Sequence, residues 1–244
     1  MIKVFFLIYA VFAYVLGLAS LVYLAGFLID FGVPKGINDG KVRSVGISIF
    51  VNAGLVLGFG LHHSLTARSS FKRWWTRWIP EPIERATYVY MTSLITFLVV
   101  FYWSPIPITL WRIDSTAGTF AILMAYAAMW LMMVVSTFNF GHFGFMGLRQ
   151  AWDRFLDRPA ASVPFTARYL YSLVRHPISL GWMLMPWLTP RMTIGQLVWA
   201  SSVTLYVLVA TKFEEDDLIR EIGDDYLKYR NSVPTFLPST KTSL

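Results

Sequence analysis

The chain has 244 residues, of which 56% are hydrophobic and 14% are charged, and its formal net charge is +7. Soluble domains average about 45–50% apolar and about 25% charged residues, so this composition excludes an ordinary soluble domain and indicates a membrane protein. The chain has no cysteine, which excludes disulfides, a protein thiolate nucleophile and a cysteine-ligated metal.

Long apolar stretches predict membrane-spanning helices, and in chain order they cover residues 4–29, 45–66, 86–103, 117–138 and 177–210. The first is charge-free and longer than the apolar core of about 7–15 residues in a signal peptide, so we expect an uncleaved helix. The last is interrupted by Pro186, Pro190 and Arg191. This interruption predicts a helical hairpin whose first arm, 177–189, is short for a full crossing. The sequence thus predicts five to six transmembrane helices, the last two as a hairpin.

The residues after the last apolar stretch are charged and amphipathic. From Lys212 they predict a cytosolic helix that ends near Gly223, then a short second helix and a proline-bounded end. Because the sequence shows no internal repeat or linker, we expect one domain covering residues 1–244. The predicted fold class is an all-α integral membrane protein with a cytosolic, helical C-terminal region.

Basic residues are concentrated in particular loops, which predicts the orientation in the membrane. Five Lys or Arg residues lie within 67–85 and five within 139–176, whereas 104–116 contains only Arg112. The positive-inside rule places the two basic segments and both termini in the cytosol. Three basic residues in the first predicted outer loop oppose this orientation mildly. The basic charge also indicates contact with anionic membrane lipid, and we expect no nucleic-acid binding.

Two polar clusters flank the last apolar stretch. Arg175-His176-Pro177 precedes it, and a proline in the first helical turn predicts that His176 is the N-cap, at headgroup level. Glu214 to Asp217 follows it, and acidic residues gain nothing from the positive-inside rule. The simpler interpretation of the first cluster is a lipid anchor, and that of the second is a solvated helical turn. The functional interpretation is that the carboxylates bind ribose hydroxyls or offset a cationic group.

Two more clusters lie after the second and fourth spans. His62 and His63 are adjacent, so on a helix they point about 100° apart and lack the i,i+4 spacing of a zinc helix. Asn139, His142, Arg149 and Gln150 follow the fourth span. Each cluster alone has a structural explanation. Together they place ionisable groups on one predicted rim of the membrane, which favours an enzyme or a cofactor site without metal.

The C-terminal half carries a two-part motif that resembles a known family. Its parts are R-H-P-x-x-x-G, Arg175 to Gly181, and E-E-x-x-L-x-x-x-x-G-x-x-Y-x-x-Y-x-x-x-x-P, Glu214 to Pro234. The pair resembles the integral-membrane S-adenosylmethionine methyltransferases. Isoprenylcysteine carboxyl methyltransferase and the phospholipid methyltransferases belong to that group.

Motifs in the N-terminal half make the resemblance more specific. They are H-S-L-x-A-R-x-x-F-K (His63 to Lys72), P-x-x-x-E-R-x-x-Y (Pro80 to Tyr88) and H-F-x-x-x-G-L-R-Q-x-W (His142 to Trp152). They look like the bacterial methanethiol S-methyltransferases and their NnrU-type relatives, and the similarity runs over nearly the whole chain. The resemblance implies methylation of a small volatile thiol by S-adenosylmethionine, methanethiol to dimethyl sulfide, at the cytosolic face of a bacterial inner membrane. It also implies a transmembrane bundle, 1–138, and a cofactor-binding half, 139–244.

The resemblance further implies which residues hold S-adenosylmethionine. They are Gln150, Tyr171, Arg175, His176, Pro177, Gly181, Glu214 and Glu215. Two other positions depart from the family pattern. Ser179 stands where isoprenylcysteine enzymes usually have tyrosine, so one contact to the cofactor does not transfer. Gly144 stands where many thiol-methylating relatives have an acidic residue, so an acid–base role does not transfer there.

Methylation of a small thiol needs a thiolate in a site that excludes water. An alkyl thiol resembles free cysteine, with a pKa of about 8.5 or higher, so near neutral pH it needs a base or a nearby cation. His63 and His142 are the candidate bases because histidine titrates near pH 6.5, and Arg149 or Arg68 is the candidate cation. The expected partners are therefore a small thiol and membrane lipid.

Three alternatives remain open at the sequence level. One is an isoprenylcysteine or phospholipid methyltransferase with the same cofactor half, and another is a non-catalytic NnrU-like membrane protein. A transporter is disfavoured, because the polar residues collect on one predicted rim and transporters bind near the middle of the bilayer.

Overall fold

The computed structural model describes residues 1–159 and 166–237. Their α-helices are α1 (Ile2–Leu28), α2 (Val45–Ala67), α3 (Ser69–Trp75), α4 (Glu81–Tyr102), α5 (Thr116–Thr137), α6 (His142–Phe145), α7 (Leu148–Phe155), α8 (Leu170–Leu173), α9 (Pro177–Leu184), α10 (Ile194–Ile222) and α11 (Asp224–Ser232). Two short strands, β1 (Thr109–Arg112) and β2 (Arg191–Thr193), pair antiparallel. Single 3₁₀ turns, Phe138–Phe140 and Met185–Trp187, follow α5 and α9.

Five of these helices are long and apolar enough to cross a membrane. They are Ile2–Leu28, Val45–Ala67, Glu81–Tyr102, Thr116–Phe140 and Ile194–Ile222. A helix of 22 residues, the length of α4, spans about 33 Å, which matches the hydrocarbon thickness of about 30 Å. The chain is therefore an all-α, multi-pass membrane protein, and this prediction is confirmed.

The predicted hairpin has arms of unequal length. Its first arm is α9, eight residues or about 12 Å, which is too short to cross alone. Its second arm is α10, with 29 residues. The Trp187 indole Nε1 donates to the Thr204 hydroxyl at 3.1 Å and holds the end of the first arm against α10.

The charged tail begins inside α10. The sequence predicts a separate helix from Lys212, but the structure has one continuous helix from Ile194 to Ile222, so the charged turns extend the last span. The predicted end at Gly223 is confirmed, because this glycine has a φ of 74°, which favours glycine. The predicted short second helix is α11.

The described residues form two compact units, and the chain passes between them several times. The first unit comprises residues 1–112, 142–159 and 191–202, and the second comprises residues 113–141, 166–190 and 203–237. The predicted single domain with its division at residue 138 stays a prediction.

In the first unit, α1 packs on α4 and α7 through small side chains. The fully buried alanines of this contact are Ala10, Ala13, Ala86 and Ala151. Gly147, which precedes α7, has a φ of 83°, and a Cβ there would lie 2.5 Å from the backbone nitrogen of Ala86. Glycine thus lets the start of α7 lie directly on α4.

A buried asparagine anchors the end of α4 in the first unit. Asn52 of α2 donates from Nδ2 to the Ser104 carbonyl at 2.7 Å and accepts from the Ser104 N–H at 2.9 Å. Both polar ends of its amide are satisfied, as a polar group within a membrane helix requires.

In the second unit, α5 packs on α9. A Cβ at Gly181 of α9 would lie 2.4 Å from Cγ of Met133 on α5. The glycine at this position therefore sets how closely the two helices approach, and its predicted place beside the cofactor stays a prediction.

Candidate active site

The N-terminus of α9 places His176 where the sequence predicts it. Pro177 occupies the first helical turn and His176 is the N-cap, because proline is tolerated where its missing N–H needs no partner. The His176 side chain is buried, with 6% of the residue exposed. The backbone N–H groups of Arg175 and His176 donate to the carbonyls of Pro234 and Thr235, at 2.9 and 3.3 Å. The residues before α9 thus lie against the end of the described chain.

Arg175 joins four segments of the second unit. Its Nε donates to Glu215 Oε1 of α10 at 2.8 Å, and its Nη1 donates to the Arg230 carbonyl of α11 at 2.9 Å. Nη1 also reaches the Val233 carbonyl, and Nη2 donates to the Thr235 hydroxyl at 2.6 Å. The Arg175 side chain is only 8% exposed. All its donor nitrogens are engaged, so Arg175 positions its neighbours.

His176 lies beside two carboxylates that have different surroundings. Its Nε2 is 3.1 Å from Glu215 Oε1, and its Nδ1 is 3.6 Å from Glu214 Oε2. The Glu215 side chain is 14% exposed and shared with Arg175, whereas that of Glu214 is 56% exposed. His176 and Glu214, 38 residues apart in sequence, therefore bring the two motif parts together, and Glu214 is the accessible carboxylate.

Neutral tyrosines surround this acidic pair. The Tyr229 hydroxyl donates to the Tyr171 carbonyl at 2.6 Å, which joins α11 to α8. Burial raises the pKa of Tyr229 to about 12. Burial first, then the Glu214 carboxylate, raises the pKa of Tyr171, and burial first, then Glu215, raises that of Tyr226. These phenols therefore keep their protons at physiological pH and add no further negative charge.

His63, in the last turns of α2, contacts a tyrosine of α4. Its Nδ1 lies 2.9 Å from the Tyr88 hydroxyl, and its ring stacks on Phe59 with centroids 5.8 Å apart. The Arg85 guanidinium lies over the ring of Tyr88, with its Cζ 4.6 Å from the ring centroid. This is a cation–π contact. The predicted base is thus a tyrosine-bound imidazole in the first unit.

His142 opens α6 and is also bound to a tyrosine. Its Nε2 lies 3.1 Å from the Tyr14 hydroxyl of α1, and the two rings meet edge to face. Burial lowers the pKa of His142, so the imidazole is neutral near pH 7 and can accept a proton. Since His63 and His142 pair with different tyrosines, they hold separate positions.

Arg149 and Gln150 lie in the first turn of α7. The Arg149 Nε contacts both carboxylate oxygens of buried Asp153, at 2.9 and 2.8 Å, so part of its charge is already balanced. Gln150 donates from Nε2 to the Gly144 carbonyl at 3.0 Å. Its buried Oε1 has no hydrogen-bond partner among the described residues, and it is therefore available to a donor.

Glu84 and Tyr88 of α4 belong to the motif P-x-x-x-E-R-x-x-Y, but sequence reasoning does not predict their contacts. Glu84 is buried, and its carboxylate lies 3.6 Å from the Nζ of Lys72. The available signal is spacing, since Glu84 and Tyr88 are four residues apart and share one face of an apolar helix.

The predicted residues fall into two sets. Those of the second unit are Tyr171, Arg175, His176, Pro177, Gly181, Glu214 and Glu215, and those of the first are His63, His142, Arg149 and Gln150. Within residues 1–159 and 166–237, no group of three His, Asp or Glu could hold a metal ion. Cofactor, base and cation roles stay predictions.

Several curated relatives align with most of the chain. The methanethiol S-methyltransferase of Crocosphaera subtropica is 40% identical over 236 residues, 97% of this chain and 92% of the relative. That of Mycobacterium tuberculosis is 38% identical over 232 residues, 95% of each. Nurim of Bos taurus is 29% identical over 184 residues, 72% of this chain and 70% of Nurim. No family model and no solved structure matches. At this identity and coverage, the chain is an enzyme of the methanethiol S-methyltransferase family, as the sequence motifs predict.

Proposed function

We propose that the chain transfers a methyl group from S-adenosylmethionine to methanethiol, giving dimethyl sulfide, at the cytosolic face of a bacterial inner membrane. The observation that carries the proposal is the near end-to-end similarity to enzymes named for this substrate. The paired carboxylates beside His176 support the choice of methyl donor.

The second unit has the chemistry that S-adenosylmethionine requires. Glu214 presents an exposed carboxylate, which can accept hydrogen bonds from ribose hydroxyls or lie beside a sulfonium. Aromatic rings lie nearby for an adenine: Phe236 is 6.3 Å from the His176 ring, and Phe140 is 4.7 Å from the Tyr171 ring. Arg175 and Glu215 hold these elements in place. When bound, the donor supplies an electrophilic methyl carbon on a positively charged sulfur.

The first unit has the groups that a thiol requires. Proton removal by a placed base contributes about 10²–10⁴-fold to a rate, and the imidazoles of His63 and His142 are the candidates. Arg149 keeps donors beyond its contact with Asp153 and would favour the thiolate electrostatically. One imidazole takes the thiol proton, and the sulfur becomes the nucleophile.

Two alternatives from the sequence lose support. The identities of 40% and 38% over almost the whole chain to enzymes named methanethiol S-methyltransferase favour a thiol substrate over a prenylcysteine or a phospholipid, and an enzyme over a non-catalytic membrane protein. The test uses purified protein with methyl-labelled S-adenosylmethionine and a panel of methanethiol, a longer alkanethiol, prenylcysteine and a phospholipid amine. We expect volatile labelled product from methanethiol above all. Label in prenylcysteine or lipid, and none in methanethiol, would contradict the proposal.

A further inference from the structure

A short helix, α3, lies between the end of one membrane-spanning helix and the start of the next. Only Arg68 separates it from α2, and α4 follows at Glu81. Since α2 and α4 are both long and apolar enough to cross a membrane, α3 lies at a membrane surface. Residues 68–81 contain four basic residues and one acidic residue, so their net charge is +3.

One face of α3 is held by contacts within the first unit. The half-buried rings of Phe71 and Trp75 stack on each other, with centroids 5.6 Å apart. The Nζ of Lys72 lies 3.6 Å from the carboxylate of Glu84 on α4. These contacts fix which side chains of α3 point inward and which stay outside.

The outward side chains are two arginines and two tryptophans. Arg73 and Arg77 are exposed, and Trp74 and Trp78 are 50% and 74% exposed. Helical hydrogen bonds continue beyond the end of α3 as far as Ile79. The two arginines are four residues apart, as are the two tryptophans, so each pair lies on one side of the helix.

An open cleft separates α3 from the first turn of α4. Its lining residues are Lys72, Arg73, Thr76 and Glu81, and its volume is about 430 Å³. Ligand pockets measure about 300–1,000 Å³, so the cleft has room for a phosphate with its glycerol group. Glu81 carries the opposing charge, and it lies in the first turn of α4, where the helix dipole already stabilises a carboxylate.

We propose that this cleft and the outward side chains of α3 bind the phosphate group of an anionic phospholipid of the surrounding membrane. Guanidinium groups bind phosphate through paired hydrogen bonds, and tryptophan rings favour the level of the lipid headgroups. Basic residues beside tryptophan are typical of helices that lie in a membrane surface. A soluble anion would engage the arginines but would gain nothing from the exposed rings. The proposal goes beyond methyl transfer and does not depend on it.

Native mass spectrometry of the full chain in detergent tests the proposal. The protein is titrated with phosphatidylglycerol or with phosphatidylcholine of the same acyl chains, and the wild type should bind the first more tightly. In the double variant Arg73→Gln, Arg77→Gln, the Kd for phosphatidylglycerol should rise about 30-fold, because each basic residue near an anionic surface contributes about 1 kcal/mol. The Kd for phosphatidylcholine should not change.

The matched control is the double variant Lys41→Gln, Arg43→Gln. It removes the same charge from exposed positions before the other end of α2, and it should keep the wild-type Kd for phosphatidylglycerol. Thermal unfolding without added lipid should give one Tm for all three proteins, because the four changed side chains are exposed.

Three results would overturn the proposal. One is an unchanged Kd for phosphatidylglycerol in the α3 variant, and another is an equal rise in the control, since total charge would then set the affinity. The third is binding of soluble glycerol phosphate to the wild type as tightly as phosphatidylglycerol, which would make a soluble phosphate ester the ligand. No thiol or methyl donor is present in these titrations, so each of these results leaves the proposed reaction untouched.

Discussion

Glu214 and Glu215 are neighbours in sequence, but their carboxylates have different surroundings. Glu215 is mostly buried and shared between Arg175 and His176, whereas Glu214 is more than half exposed. A buried carboxylate that balances a guanidinium supports the fold, and breaking such a pair from one side is strongly destabilising. An exposed carboxylate beside an imidazole can exchange its contacts for those of a ligand.

Glu214→Gln should therefore lower the affinity for S-adenosylmethionine, and Glu215→Gln should lower stability. We expect about a tenfold higher Kd in the first variant, since a hydrogen bond to a charged group contributes about 1.5–3 kcal/mol. Glu215→Gln leaves Arg175 buried without its counter-charge, which should lower the free energy of unfolding by about 3–5 kcal/mol. Calorimetric titration and thermal unfolding in detergent measure the two effects. Wild-type affinity in Glu214→Gln together with a wild-type Tm in Glu215→Gln would exclude this division of roles.

The proposed role of His142 as a base predicts a particular pH dependence. Burial lowers the pKa of His142, so protonation of the ring, and loss of the base, occurs below its ordinary value of about 6.5. His142→Gln should lose turnover by about 10²–10⁴-fold at neutral pH. The variant should recover much of the lost turnover above about pH 9, where an alkyl thiol ionises unaided.

The pH profile of kcat/KM, measured for the wild type, His142→Gln and His63→Gln, checks this prediction. The affinity for S-adenosylmethionine serves as the control, and it should not change. If both variants kept wild-type turnover over the whole range, neither histidine would be the base, and a cation such as Arg149 would be the better explanation.

At the scale of elements, the contact of α9 with α5 depends on Gly181. A methyl group at this position meets Met133 at 2.4 Å, and overpacking of this kind costs about 1–3 kcal/mol. Gly181→Ala should therefore lower the Tm, and the added change Met133→Ala should restore part of it. Gly144→Ala is the matched control, since its nearest neighbour is Arg149 Cβ at 3.9 Å. A loss of cofactor affinity without loss of Tm would instead place Gly181 at the cofactor.

The long helices were predictable because a membrane span needs about 20 apolar residues in a row. The short helices and strands could not be predicted in the same way. The basic segment 67–85 reads as a loop in the sequence, but it contains the helix α3. The strands β1 and β2, of four and three residues, are too short to leave a periodic pattern. The continuation of α10 past Lys212 was also missed, since charge ends an apolar run without ending a helix.

The residue types of the candidate site could be predicted from the sequence, but most of the contacts between them could not. The motifs indicate that His176 and the carboxylate pair belong together, and the structure brings them within 3.6 Å. The partners of Arg175 include three backbone or hydroxyl groups after residue 229, and backbone acceptors leave no mark in a sequence. The ring nitrogens of His62 are buried without a hydrogen-bond partner among the described residues, which becomes visible only when the neighbouring helices are placed.

For the whole molecule, the orientation in the membrane is a prediction from loop charge. Cysteine introduced at Ser70, an exposed position of α3, should resist a membrane-impermeant thiol reagent in intact cells and react after lysis. Thr116→Cys, at the exposed start of α5, should react from outside and serves as the control. The absence of native cysteine keeps the background low. Ready labelling at residue 70, with protection at 116, would reverse the topology.

The identity of the reaction is the central claim, and it is tested most directly by the product in the headspace. Purified protein in lipid receives methanethiol and S-adenosylmethionine that carries a trideuterated methyl group. The account predicts dimethyl sulfide with one trideuterated methyl, formed in proportion to enzyme and nearly absent with His176→Ala. Protein that binds the labelled donor but yields no labelled dimethyl sulfide from methanethiol would contradict the account.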